Sequence, residues 1–250
     1  MRQKIVPIKN VGRLSEAADA LLTRAPGLPG MGLVRGDTGA GKTTAVCWLV
    51  NRVNGVYVRA TAVWSPATAL RAILREIDLD ARGSNSDLVE CIVEELAKRQ
   101  RPLFVDEADY LVGRRMLIDT MRDIHDLSTV PVILIGMDGI QRSVATNRIL
   151  AGRIAQEVQF APCDAEDARM LADQLCEVAV ADDLLGRLHA KATGSVRLIV
   201  VGLARIEAFA RTRALENVDS AAWGRADNFF LGGGTVAAPP AARVTRIKSA

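Results

Sequence analysis

Apolar and polar positions along the first two thirds of the chain alternate between two periods. Short apolar runs over 31–35, 55–59, 103–105 and 130–135 have the length and Val/Ile/Leu content of strands buried on both faces. Between them, 43–52, 66–77, 88–100 and 116–127 place apolar residues three and four apart, the spacing of a helix with one core-facing side. This alternation predicts an α/β fold with a parallel sheet flanked by helices on both faces. Beyond about residue 162 strand patterns disappear, and a small all-helical second domain is expected. Asp164 is placed to cap a helix reaching Cys176, Asp182 a second reaching Ala192, and Ser195 a third reaching about Arg213. Leu198, Val201, Leu203, Ile206, Phe209 and Ala210 form the apolar side of the third. The predicted organisation is a leading segment 1–30, a core 31–161, a helical lid 162–222 and a tail 223–250.

Candidate chemistry concentrates at Gly36-Asp37-Thr38-Gly39-Ala40-Gly41-Lys42-Thr43, followed by Thr44, which fits G-x-x-x-x-G-K-[ST] in full. An apolar run precedes it and a helical pattern follows. Glycines let the backbone curl so that successive N–H groups, at the positive end of the following helix, cradle phosphate oxygens. Lys42 is expected to reach the β- and γ-phosphates of ATP, and the Thr43 hydroxyl to join an Mg²⁺ shell. A glycine-rich turn that merely contains Lys-Thr is the competing reading, and the strand–loop–helix context disfavours it.

A second apolar run ends in adjacent carboxylates, Asp106 and Glu107. At the carboxyl edge of a parallel sheet, Asp106 would hold Mg²⁺ through water and Glu107 would orient or deprotonate an attacking water. No acceptor-binding lid of the kind a kinase needs is recognisable, so nucleotide hydrolysis is the expected chemistry.

Composition narrows the class further. The 250 residues are 49% apolar, 24% charged and 4% aromatic, an ordinary globular balance. No apolar run reaches the ~18 residues of a transmembrane helix, and the start has no signal-peptide pattern. Cys47, Cys91, Cys163 and Cys176 are scattered without a C-x-x-C pair. Neither a zinc site nor a disulfide framework is expected, and a cytoplasmic location with reduced thiols is the default. The formal charge of +3 equals that of Arg243, Arg246 and Lys248 in the acid-free stretch 235–250, so the rest balances to zero (3 − 3 = 0). That stretch reads as a flexible, solvated end more than as a nucleic-acid arm. His125 and His189 have no partner at ligand spacing, and Trp48, Trp64 and Trp223 read as packing residues.

With these motifs in place, the chain resembles the AAA+ ATPases. More narrowly it resembles the transposition ATPases, typified by the B protein of Mu-like transposing phages and its relatives in bacterial transposons. The carrying residues are 31–34 before the phosphate loop, Asp106-Glu-Ala-Asp-Tyr-Leu, Leu117-Ile-Asp-Thr-Met-Arg-Asp-Ile-His-Asp and Val130-Pro-Val-Ile-Leu-Ile-Gly, within a match over about 10–215. The resemblance implies a P-loop AAA+ core with a helical lid, and a homo-oligomer, ring or filament, whose ATP sits between neighbours. It implies that Arg153 reaches into the neighbouring site, with Arg148 as a rival, and that Arg197 opens the third lid helix and contacts nucleotide in cis. At the sensor-1 position, usually Asn, Ser or Thr, this sequence has Met137 and Asp138 after Gly136; Asp138 retains an acceptor for water.

The resemblance also implies sequence-nonspecific binding of double-stranded DNA and recruitment of a transposase. Only about thirty residues precede the phosphate loop, so DNA contact is expected from the core or tail. Arg114 and Arg115, expected on a loop after the Asp-Glu strand, and Arg59, Arg71 and Arg75 are the candidate phosphate contacts, against the plainer reading of solvated faces. Two other functions compete. One is a loader of a replication clamp or helicase; the other is a nucleotide-gated interaction module with negligible hydrolysis, which the Met137–Asp138 departure favours.

Overall fold

The computed structural model describes residues 1–224 and 228–230; the basic stretch 235–250 lies outside them. The chain begins with an extended strap and a helix, α1 (Lys9–Leu22), then enters the sheet at β1 (Met31–Gly36). The core continues as α2 (Lys42–Arg52), β2 (Val56–Arg59), α3 (Pro66–Glu76), α4 (Asn85–Arg99) and β3 (Leu103–Asp106). A 3₁₀ turn (Ala108–Tyr110) leads to α5 (Arg115–Ser128), β4 (Val132–Gly136), α6 (Ile140–Thr146), α7 (Arg148–Ala151) and β5 (Ile154–Phe160). The remainder comprises α8 (Ala165–Leu175), β6 (Ala179–Val180), α9 (Asp182–Ala192), α10 (Val196–Thr212), β7 (Asn217–Val218) and α11 (Ser220–Trp223).

The five-stranded sheet has the order β2-β3-β4-β1-β5, and every neighbouring pair is parallel. Successive strand residues point to opposite faces, so a strand buried on both must be apolar throughout. Met31, Leu33, Leu103, Val105, Val132 and Leu134 pack under α3, α4 and α5. Val34, Phe104, Ile133 and Ile135 face α1, α2 and the lid. All five residues of β4 are buried. The expected two-sided parallel sheet is therefore present.

Local signals fix the helix starts. Ser65 accepts from the Thr68 N–H and Pro66 occupies the first turn of α3; Ser84 and Asp87 form the same reciprocal box on α4. Asp164 caps α8 and Ser195 caps α10, as the sequence predicts. Asp182 does not cap α9: Ala181 holds that position without a side-chain bond, and Asp182 and Asp183 lie in the first turn, where their charge still meets the helix dipole.

Three features depart from expectation. β5 is a further strand of the sheet; it lies at the edge, and its exposed alternate residues Ala155, Glu157 and Gln159 hide it from an apolar-run criterion. The lid is not purely helical, because Ala179–Val180 and Asn217–Val218 pair as a two-residue parallel ladder. Packing also continues past the predicted boundary at 222. Phe229 is fully buried, stacks on Trp223 with centroids 5.4 Å apart, and Trp223 meets Phe209 edge-on at 5.0 Å.

The start of α1 is bonded to the end of β5 and the start of α8. Asn10, buried, donates to the Ala161 carbonyl at 2.8 Å and accepts from the Ala161 N–H at 3.1 Å, and the Lys9 N–H donates to Asp167 at 3.0 Å. The Lys9 ammonium meets Asp164 and Glu166 at 2.6 and 2.7 Å.

Candidate functional site

β1 lies between β4 and β5, and the loop that leaves its carboxyl end is 36–43. Open parallel sheets bind ligands at this edge. Two of the loop's three glycines show its steric need. Gly39 has φ +85°, and a Cβ there would lie 2.6 Å from Ser195 Oγ; Gly41, at φ +89°, is the residue from which α2 departs. The first N–H groups of α2, including those of Lys42, Thr43 and Thr44, have no intrahelical acceptors and lie at the positive end of the helix.

The side chains converge. Lys42 Nζ donates to the carbonyls of Gly36 at 2.6 Å and Asp37 at 2.9 Å. Burial pulls the Lys42 pKa below its ordinary value, opposed by the charges of Asp106, Glu107, Asp109 and Asp37. Asp106, 3% exposed, accepts from Thr43 Oγ1 at 3.0 Å and Tyr57 OH at 2.7 Å through Oδ2, and from the Glu107 N–H at 2.9 Å through Oδ1. Glu107 sits at the left-handed φ of +54°, which turns the chain out of β3, and its carboxylate meets Arg59 at 2.7 Å.

These groups line a cavity of about 770 Å³. Thr38–Thr44, Asp106, Glu107 and Met137 line it, together with Val196 and Arg197 of α10. The Arg197 N–H donates to the Gly39 carbonyl at 3.0 Å, so the start of α10 is fastened to the phosphate loop itself. The strap residues Met1–Val6 also line it. This strap, absent from the sequence-level picture, is held by Arg2 N–H to Leu175 O at 2.8 Å and by the buried Val6 and Ile8.

The arrangement fits a magnesium nucleotide. A hydroxyl and a buried carboxylate 3.0 Å apart offer hard oxygen donors. Among the described residues no cluster of three or more His, Cys, Asp or Glu forms a closed metal cage. The Thr43–Asp106 pair suits a cation that keeps water and shares its shell with substrate phosphates.

Other candidates are placed differently. Asp138 is ion-paired with Arg35, which also holds Glu157 at 2.5 Å, so its carboxylate is already engaged. Met137 Sδ accepts from Thr38 Oγ1 at 3.4 Å, and its N–H donates to Asp109 at 2.9 Å. Arg153 lies just before β5, next to the start of β1, and grips Asp126 at 3.0 and 3.2 Å. Arg148 begins α7, exposed, and no ion pair to it occurs among the described residues.

The expected basic loop at 114–115 is instead the start of α5. Arg114 is its N-cap and is spent on the carbonyls of Ala62 at 2.7 Å and Trp64 at 3.0 Å. Arg115 stays exposed beside Asp119. Arg71 and Arg75 lie exposed on α3. His125 bonds the Val130 carbonyl at 2.7 Å and His189 the Cys163 carbonyl at 2.8 Å, so both are satisfied within the fold.

Comparison with known proteins agrees with this geometry. Residues 27–144 match the family described as AAA domain. The fold is similar to that of the Aeropyrum pernix ORC2 protein, at 17% identity and a TM-score of 0.67, over 89% of this chain and 68% of that one. It is similar to the Aeropyrum pernix ORC1 protein solved in complex with DNA (20% identity, TM-score 0.63, 86% and 63% covered). It is also similar to the Thermotoga maritima RuvB Holliday junction branch migration motor (18%, 0.59, 87% and 67%). The chain thus spans 63–68% of the length of these structures. No curated protein matches it. By motif and sheet order the chain has an α/β fold that matches a P-loop AAA+ core, and residues 27–144 of it are similar to the AAA domain family.

Proposed function

We propose that this chain is an ATP-dependent, sequence-nonspecific DNA-binding ATPase that oligomerises on target DNA and there recruits and activates a transposase. The observation that carries the ATPase reading is the meeting of Lys42, Thr43, Asp106, Glu107 and Arg197 around one cavity. The transposase reading is supported by the segments at 106–111, 117–126 and 130–136 that resemble transposition ATPases.

In this reading the phosphate-loop N–H groups and Lys42 bind and orient the triphosphate. Thr43 and Asp106 would hold Mg²⁺, which would neutralise charge on the nucleotide's phosphates. Glu107 accepts a proton from water as the water oxygen bonds to the γ-phosphorus and the bond to the β–γ bridging oxygen breaks, leaving ADP and phosphate. Arg197 contacts the same nucleotide from the lid. Arg153 exchanges Asp126 for the γ-phosphate of a neighbour, so that assembly and hydrolysis are coupled. Arg153→Ala is then expected to lower turnover by about 10³-fold with ATP affinity retained, while Arg148→Ala has little effect; steady-state phosphate release checks both. The opposite ranking would transfer the role to Arg148.

Arg59 links DNA to chemistry. It is 60% exposed at the edge of the sheet and restrains Glu107, so a duplex phosphate that draws Arg59 away frees the base. Arg59→Ala is expected to raise basal hydrolysis by up to about fivefold, the worth of an exposed ion pair, and to flatten stimulation by DNA. Phosphate release with and without random-sequence duplex tests this reading. Stimulation that persists undiminished in the variant would remove Arg59 from the link. If a ring-shaped replication protein stimulates instead of DNA, the loader function replaces the transposition one.

A further inference from the structure

Edge strand β2 sends two side chains toward the carboxylate pair, Arg59 to Glu107 and Tyr57 to Asp106. The register makes this possible. Tyr57 lies opposite Phe104 and Arg59 opposite Asp106 in a parallel pair, and residues two apart on a strand share a face. Tyr57 therefore reaches Asp106 on the diagonal, with its ring half-buried against the core on the α2 side.

Its hydroxyl donates to Asp106 Oδ2, the same oxygen that accepts from Thr43. With the Glu107 N–H on Oδ1, three donors replace the water that a buried carboxylate loses.

We propose that Tyr57 is a positioning residue for the metal–nucleotide complex: its hydroxyl fixes the orientation in which Asp106 faces Thr43, so that Mg²⁺ meets a preset oxygen pair. This rests on reading Thr43 and Asp106 as the metal side of the site. Neither motif contains Tyr57, because its role arises from strand register and not from spacing. Removing the hydroxyl leaves the ring packing intact and deprives Asp106 of one of its three donors. The carboxylate can then turn about its last torsion, and the loss falls on the metal-dependent part of binding.

The test is calorimetric titration of ATP into the full chain across a Mg²⁺ series and in EDTA, for wild type and Tyr57→Phe. We expect the Mg²⁺ half-saturation for ATP binding to rise about tenfold, as for one lost bond to a charged acceptor, with the affinity in EDTA unchanged. Thermal unfolding of each protein shows that both are folded at the titration temperature. Unchanged half-saturation would overturn the proposal. So would a parallel fall in both affinities, which is the mark of a merely structural residue. Wild-type binding indifferent to Mg²⁺ would instead overturn the underlying assignment of Thr43 and Asp106, and the Tyr57 role with it.

Discussion

Lys42→Ala is expected to abolish ATP binding and ATP-dependent assembly on DNA together. Lys42 is the cation pointed into the phosphate loop, and it is held there by two backbone carbonyls, of Gly36 and Asp37. Asp106, Glu107, Asp109 and Asp37 all lie close enough to bear on its charge. Without the ammonium, the phosphate loop keeps no cation of its own against the charges of Asp37, Asp106 and Glu107. Charge-assisted bonds contribute ~1.5–3 kcal/mol each, so loss of contacts to two phosphates weakens ATP binding by about 100-fold or more. Equilibrium binding of a fluorescent ATP analogue measures this. A Lys42→Ala protein that still assembles on DNA only with ATP would refute the coupling.

Glu107→Gln separates binding from turnover. The amide cannot take a proton from water, and loss of a general base costs about 10²–10⁴-fold in rate. Gln fills the same volume, tolerates the left-handed backbone at this position as Glu does, and leaves the Asp106–Thr43–Tyr57 contacts untouched. ATP and DNA binding should therefore survive, and assemblies on DNA should outlast those of wild type because hydrolysis acts as the timer that dissolves them. Dissociation after dilution, followed by light scattering, reads the lifetime. Wild-type dissociation rates in a protein that no longer hydrolyses ATP would contradict the timer role.

The parts of this architecture that were legible in the sequence share a cause. β1, β3 and β4 are buried on both faces, which demands unbroken apolar runs, and the phosphate loop demands glycines at fixed offsets. Caps at Ser195 and Asp164 were readable because a side-chain oxygen serves a particular N–H. What escaped has the opposite character. β5 is half solvated, and α1 has Ile8 as its N-cap, which offers no side-chain bond. The two-residue β6–β7 ladder is too short to impose a pattern.

The candidate site divides in the same way. Lys42, Thr43, Asp106 and Glu107 follow from motifs, and the lid residue Arg197 from resemblance; all five line one cavity. The partners that tune them, Tyr57 on Asp106 and Arg59 on Glu107, are set by the β2–β3 register. Arg114 shows the converse: it reads as a free surface cation, yet both its terminal nitrogens are spent on loop carbonyls.

ATP-gated assembly on DNA is the central claim, and sedimentation with negative-stain imaging tests it most directly. The full chain is mixed with random-sequence duplex under ATP, ADP or no nucleotide. The account predicts co-sedimentation and ordered assemblies along the duplex with ATP alone, weakening steeply with salt as phosphate contacts do. A discrete particle that forms regardless of DNA, or binding indifferent to nucleotide, would contradict it.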